Sequence, residues 1–370
     1  MAAAKYYIGM LSGTSRDGVD IALVSIDGNQ PRLQELRCIP YPPSLVQLLK
    51  NMLASGQRPK SKQLREADDL LVGFFSETVI NFLAGMGMDR TCITAIGSHG
   101  QTVWHDPVGP DAETIQLGDP QKIARATGMT TVGDFRSNDV AAGGQGAPLA
   151  PLLHRAVFRP ATGNRAVLNL GGIANISVIS SDGAVSGFDT GPANCLLDAW
   201  IQQQLGEAYD QGGQWSSGGT VDNLLLLQLM SDPYFKKPPP KSTGLEYFNL
   251  QWLRKKSDLE HINARDVQAT LAQLTASSVA MSLSPYETLD ILVCGGGVNN
   301  RDLMNRLRSL LPQCRLESTA AHGIDPDGVE AVLFAWLAHE RLAGRAQDTA
   351  PITGAREAVL LGAVFRPESA

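Results

Sequence analysis

Twice along the chain, near residues 6 and 165, a short apolar run breaks at a glycine-rich loop and a second apolar run follows. The first instance, residues 6–26, reads YYIGMLSGTSRDGVDIALVSI. Its second run alternates from Val19 onward, and turn residues bound both runs, so the stretch reads as strand, loop, strand. The loop at residues 12–18 offers Gly13 and Gly18, the hydroxyls of Ser12, Thr14 and Ser15, and the carboxylate of Asp17. Backbone N–H groups and hydroxyls at such small residues can close on an anion like a phosphate-cradling nest, and an ordinary hairpin turn is the alternative. Neither a Walker loop nor a Gly-x-Gly-x-x-Gly pattern is present in it. The second instance runs from an apolar strand at 165–170 through GGIANIS (171–177) to Ile179. A third loop, GGGVNN at 295–300, follows an apolar strand at 289–294. Three glycine loops in two halves of similar plan read as a weak internal duplication clasping a nucleotide. For the GGG run alone, a tight strand-to-helix corner is the alternative.

A chain of 370 residues has room for two domains, each burying its own core. A net charge of −6 argues against a nucleic-acid or anionic-membrane surface. Cys38, Cys92, Cys195, Cys294 and Cys314 are scattered and form no Cys-x-x-Cys, which favours reduced thiols over disulfides or zinc. The first apolar run stops at Ser12, too short for a signal peptide, and no run approaches the ~18 apolar residues of a membrane span. The expectation is a cytoplasmic protein.

Residues 32–39, closed by Pro-Tyr-Pro-Pro, add a third strand, and helical spacing follows at 45–54 and 61–86. Short strands are expected at 94–98, 114–118 and 130–134. The glycine-rich stretch 134–148 carries Asp134, Arg136, Asp139 and Gln145, polar groups more suited to a site wall than to a linker. Asp189 follows a strand at 185–188 and precedes a helix at 195–204, where it is either an N-cap or a general base. Residues 234–244 read as a Pro-rich surface loop carrying Lys241, Ser242 and Thr243; Asp266 reads as the cap of a helix at 267–283. A last amphipathic helix is expected at about 328–342, with Glu330 in its first turn. Asp134, Arg136, Asp139, Asp189 and Glu330 suit a sugar's hydroxyls, and Trp104 is a stacking or core residue. His99 and His105 read as packing or hydrogen-bonding residues.

IGMLSGTSRDGVDIALV, AIGSHGQTVWH, DFRSNDVAAGGQGAPL, LNLGGIANIS, GFDTGPAN, KSTG-x-E-x-F and LVCGGGVNN, in this order, closely resemble the anhydro-N-acetylmuramic acid kinase family. The resemblance spans residues 6–362. It implies the sugar kinase/actin/heat-shock-chaperone superfamily: an α/β chain of two ribonuclease-H-like lobes with mixed sheets and ATP in the cleft. The lobes would be residues 1–160 and 161–345, with 346–370 packing back on the first. Carried over by motif, Gly13, Thr14, Ser15, Asp17, Gly18 and Asp20 would meet the ATP phosphates. Gly171, Gly172 and Asn175 would form a second phosphate loop, and Gly295, Gly296 and Gly297 an adenosine loop. Asp189 would be the catalytic base. Asp134, Arg136, Gln145 and Glu330 are the sugar-side candidates. Two departures stand out. Arg16 occupies a position the family usually fills with an apolar residue. Leu11 stands where many superfamily members carry a magnesium-linked Asp, which leaves Asp17 and Asp20 as candidates beside the metal.

The implied reaction takes ATP, water and 1,6-anhydro-N-acetylmuramic acid to ADP and N-acetylmuramic acid 6-phosphate, with magnesium, in cell-wall recycling. The expected partner is a small amino sugar, with no nucleic acid or membrane, and a homodimer is left open. The rivals are a kinase for an ordinary sugar hydroxyl, an ATP-switched chaperone or filament protein, and an ATP-independent glycosidase needing a second carboxylate.

Overall fold

The computed structural model describes residues 4–367 except 14–17, 55, 110–111, 240 and 287. The chain divides into two compact units, one of residues 1–157 with 328–370 and the other of residues 158–327.

The first unit begins with three antiparallel strands, β1 (Lys5–Ser12), β2 (Gly18–Asp27) and β3 (Gln30–Pro40). β4 (Ile93–Asp106) then adds parallel to β1, β5 (Glu113–Leu117) folds back on β4, and β6 (Thr131–Gly133) adds parallel to β4. The late strand Ala363–Phe365 closes the edge against β6. β1 is buried on both faces. Ile8 and Met10 point into a core with Leu71, Phe75, Val79 and Phe82 of the helix Ser61–Gly85. Each such side chain, fully buried, contributes about 1.5–3 kcal/mol. On the other face lies the helix Val329–Leu342, which belongs to this unit although it follows the whole of the second in sequence. It approaches where Gly9 of β1 and Gly97 of β4 sit side by side. A Cβ on Gly9 would lie 1.8 Å from the Ala331 carbonyl oxygen, and one on Gly97 2.0 Å from that of Phe334.

The second unit repeats the plan. β7 (Asn164–Leu170), β8 (Ile173–Ser180) and β9 (Val185–Pro192) are antiparallel neighbours, β10 (Thr288–Cys294) adds parallel to β7, and β11 (Arg315–Ser318) adds parallel to β10. The order β11-β10-β7-β8-β9 matches β6-β4-β1-β2-β3 strand for strand. This is the ribonuclease-H-like arrangement twice over, as the family resemblance implied and in keeping with the repeated strand–loop–strand pattern. The helices Ala264–Leu283 and Arg301–Leu310 cover one face through Ala276, Val279, Leu283, Leu303 and Leu307.

Three local expectations change. β4 runs to Asp106, so SHGQTVWH is strand; Gly100, at φ 77°, lets it bend without ending. Helix Ala264–Leu283 is capped by Asn263, whose side chain accepts from Arg265 N at 2.9 Å, while Asp266 in the first turn accepts from Thr220 N at 2.7 Å. β9 continues through Asp189 to Pro192, and the next helix starts at Asn194. The N-cap role for Asp189 is therefore excluded.

Candidate active site

In the second unit, Asp189 stands half-buried on β9, opposite Asn175 of β8, which in turn pairs with Asn169 of β7. Its Oδ2 accepts the Thr243 N–H at 2.9 Å, its own N–H donates to the Lys241 carbonyl at 3.0 Å, and the Tyr234 hydroxyl donates to its carbonyl at 2.8 Å. The 234–244 segment is thus bonded to the candidate base and is more than a surface loop. Burial pushes the Asp189 carboxyl up to about 6, against the pull of the Thr243 amide and the Lys241 ammonium. A carboxylate poised there is ionised at neutral pH and basic enough to take a proton.

The β7–β8 turn, Gly171 and Gly172, is stitched to the helix Asn194–Leu205. The Gly171 carbonyl accepts from Asn194 N at 3.0 Å, and that of Gly172 from Cys195 N at 3.1 Å. The three glycines after β10 divide in role. Gly295 has φ 79°, and a Cβ on Gly297 would lie 2.6 Å from that of Leu170, so both are demanded by the corner itself. Gly296 has no protein atom within 4 Å of its would-be Cβ. It lines, with Gly297, Asn194, Asp198, Tyr209 and Asn300, a cavity of about 880 Å³. That is ample for a nucleoside. Asp198 and Asp210 were not expected from sequence. Burial and the nearby Asp210 push the Asp198 carboxyl up to about 7, and Asp210 accepts the amides of Trp215 and Ser216 at 2.8 and 2.9 Å. The signal that could have found them is QGGQW at 211–215, a further glycine-containing turn with polar neighbours.

In the first unit, Thr14, Ser15, Arg16 and Asp17 lie outside the described residues. The loop's two ends are pinned. Ser12 Oγ is 2.9 Å from the Gly18 carbonyl and 2.7 Å from Gln101 Oε1, and Gln101 Nε2 donates to the Gly13 carbonyl at 3.3 Å. Gly18 is held by packing as well, since its Cβ would lie 2.6 Å from the Ile39 carbonyl oxygen. Gln101, which pins this loop, was not singled out from sequence; its signal is a polar side chain between His99 and Trp104 in the SHGQTVWH run.

Arg136 donates from Nε to His99 Nε2 at 2.9 Å and from a terminal nitrogen to the Gly146 carbonyl at 3.3 Å. His99 Nδ1 lies 3.0 Å from the Gly100 carbonyl, so the neutral ring protonated on Nδ1 satisfies both contacts. Burial and the Arg136 charge hold it well below the usual histidine range. Burial lowers Arg136 to about 10, and Glu330 and Asp139 oppose the fall, so it remains a cation at neutral pH. The surrounding protein and Asp20 raise the Glu330 carboxyl, and Arg136 lowers it. Because Glu330 is open to solvent, water tempers that rise. Asp139, fully buried, serves structure: it accepts the Gly146 amide at 2.7 Å and the Thr353 hydroxyl at 2.8 Å, which shapes the loop carrying Gln145. Gln145 and Asp134 are exposed, and Asp134 sits at φ 55° with the Ser137 hydroxyl on its carboxylate. Arg136, Glu330 and Asp20 thus form one charged group, with Gln145 and Asp134 on the adjoining glycine-rich loop.

The family model of anhydro-N-acetylmuramic acid kinase matches residues 5–367. The chain belongs to the anhydro-N-acetylmuramic acid kinase family. It is 47% identical to such a kinase from Pasteurella multocida over 99% of this chain and 98% of that one. It is also 47% identical to one from Pseudomonas fluorescens, over 97% and 99%. Among solved structures it overlays on the activator of the 2-hydroxyisocaproyl-CoA dehydratase from Clostridium difficile with TM-score 0.45 and 11% identity, covering 92% of this chain and 96% of that one. Like its family, the chain is an ATP-using sugar kinase of anhydro-N-acetylmuramic acid recycling. Among the described residues no helix is long and apolar enough to cross a membrane.

Proposed function

We propose that the chain opens the 1,6-anhydro bridge of its sugar with water and phosphorylates the freed 6-oxygen, and that Asp189 is the base for the water. The observation that carries this is the placement of Asp189: a strand-borne carboxylate, half-buried, held by one backbone amide and raised to about 6. Asp189 takes a proton from water as the water oxygen bonds to the anomeric carbon, and the bond from that carbon to the bridging oxygen breaks. The electron pair stays on the bridging oxygen, which attacks the γ-phosphorus as the bond to ADP breaks. The first half follows the logic of inverting glycoside hydrolysis, with ATP in place of a carboxylic acid as the group that accepts the leaving oxygen.

The described residues support separate roles. The cavity at Gly296 and Gly297 suits the nucleoside, and the hairpin ends pinned by Ser12 and Gln101 suit a phosphate chain. Arg136 and Glu330 suit sugar oxygens. Among the described residues no group of three or more His, Cys, Asp or Glu could hold a metal. That fits magnesium carried on nucleotide phosphates with one or two carboxylates, of which Asp20 is the described candidate. When bound, it neutralises charge on the transferred phosphoryl group.

The test is ADP release with the bridged sugar against the opened sugar. The account expects turnover on the bridged form alone. Equal or better turnover on the opened sugar would make this a kinase for an ordinary hydroxyl.

A further inference from the structure

The Pro-rich segment after the helix Pro233–Lys236 is a strap built around Asp189. Its base is closed by Asp232, 2% exposed, whose Oδ1 accepts Tyr234 N at 2.9 Å and the Tyr247 hydroxyl at 2.8 Å. Asp232 Oδ2 accepts Trp252 Nε1 at 2.9 Å and pairs with Lys256 Nζ at 2.7 Å. One buried carboxylate therefore ties both ends of the strap to the helix Leu250–Lys256. The middle of the strap meets Asp189 through the Lys241 carbonyl and the Thr243 amide, while Tyr234 holds the Asp189 carbonyl from below. The Lys241 ammonium lies 4.9 Å from the centre of the Tyr234 ring, the same ring whose hydroxyl reaches Asp189.

We propose that Lys241 is a positioning residue for the reaction, set beside Asp189 by the strap so that its positive charge keeps the carboxylate ionised and ready to receive the proton of water. The proposal rests on Asp189 being the base. The geometry gives it a means: the Lys241 carbonyl on the Asp189 amide and the Thr243 amide on the Asp189 carboxylate fix the strap's register, and the cation sits on the Tyr234 face, which favours it electrostatically. The charge is the one side-chain contribution that opposes the burial of Asp189. The other ionisable groups around it are accounted for. Tyr234 is raised by burial and by Asp189 and stays neutral. Lys237 lies 5.8 Å from the centre of the Tyr234 ring and disfavours the Lys241 charge, as burial does, while Asp189 favours it. Tyr247 faces Asp232, itself held down to about 2 by its donors, chiefly Lys256, against its own burial. From β8, the facing residue is the uncharged Asn175.

The experiment is the pH dependence of kcat/KM for the bridged sugar at saturating ATP and magnesium, in wild type, Lys241→Met, Lys241→Gln, Lys241→Arg and Asp189→Asn. Removing the cation should move the acid-side midpoint up by about one pH unit, the lower end of what a close opposite charge does. Activity on the alkaline side should stay within a few-fold of wild type, and Lys241→Arg should restore the midpoint. Lys241→Gln keeps a polar end on the strap if Met disturbs it. A residue that served only the fold would lower activity at every pH and leave the midpoint in place. An inactive Asp189→Asn together with unmoved midpoints in Lys241→Met and Lys241→Gln overturns the role of Lys241 alone. An unmoved midpoint together with a raised KM for ATP, read in a companion ATP titration at saturating sugar, does the same and assigns Lys241 to phosphate. An Asp189→Asn variant with wild-type activity and profile overturns the base assignment itself.

Discussion

Asp189 illustrates how a candidate site residue is held at a cost to the fold. Its carboxyl, ordinarily near 3.8, is raised to about 6 because burial penalises the charge more than the Thr243 amide and Lys241 relieve it. The folded state therefore binds the proton more tightly than the unfolded state. Stability falls as pH climbs from about 4 to 6, and above that the full cost, on the order of 3 kcal/mol, is carried. Asp189→Asn should thus unfold at higher urea at pH 7, and the gain should vanish near pH 3.5. An unchanged midpoint at pH 7 would contradict the buried-charge account. The same variant should lose about 10²–10⁴-fold in kcat while its nucleotide affinity, read by calorimetry, stays near wild type. The wild-type kcat/KM should fall tenfold per pH unit below about 6 as Asp189 takes up its proton. The catalytic candidate was legible in sequence as GFDTGPAN, but two roles remained open because a motif does not show where a strand ends. The contact with Thr243, 54 residues away, settles its surroundings. No local pattern carries that contact.

At the scale of elements, legibility followed sequence distance. The hairpins β1–β2 and β7–β8 pair neighbours across short loops, and alternation with turn residues marks them. The parallel pairs β1–β4 and β7–β10 join strands separated by long stretches, and only the apolar character of their strands was visible. Gly9 and Gly97 fall inside runs expected as strands, and nothing local marks them. Their reason is the helix Val329–Leu342, whose backbone lies against them. Gly9→Val or Gly97→Val should cost at least ~1–3 kcal/mol by overpacking that contact, measured by urea unfolding. A neutral effect would mean that the helix can withdraw from the sheet. The cavity beside Gly296 was half legible: its glycines were expected, whereas Asp198 and Asp210 reach it from another helix and turn.

Across the whole molecule, the repeat read at residues 6 and 165 proved to be a repeat of topology, the same five-strand order in both units. The units differ in continuity. The second is one stretch, 158–327, while the first recovers its helix and its last edge strand only from residues 328–370. Truncation after Asp327 should therefore strip β1 and β4 of the layer over Gly9 and Gly97 and abolish the first unit's unfolding transition. The second unit should keep its own, which differential scanning calorimetry can follow. Loss of both transitions together would show that neither unit holds without the other.

The most direct measurement of the central claim is the fate of oxygen when the wild-type enzyme turns over the bridged sugar with ATP and magnesium in ¹⁸O-labelled water. The account predicts one ADP per sugar opened, label on the anomeric hydroxyl, and an unlabelled oxygen between C6 and phosphorus. Label in released inorganic phosphate, or phosphorylation without ring opening, would contradict it and remove Asp189 from its role as the water's base.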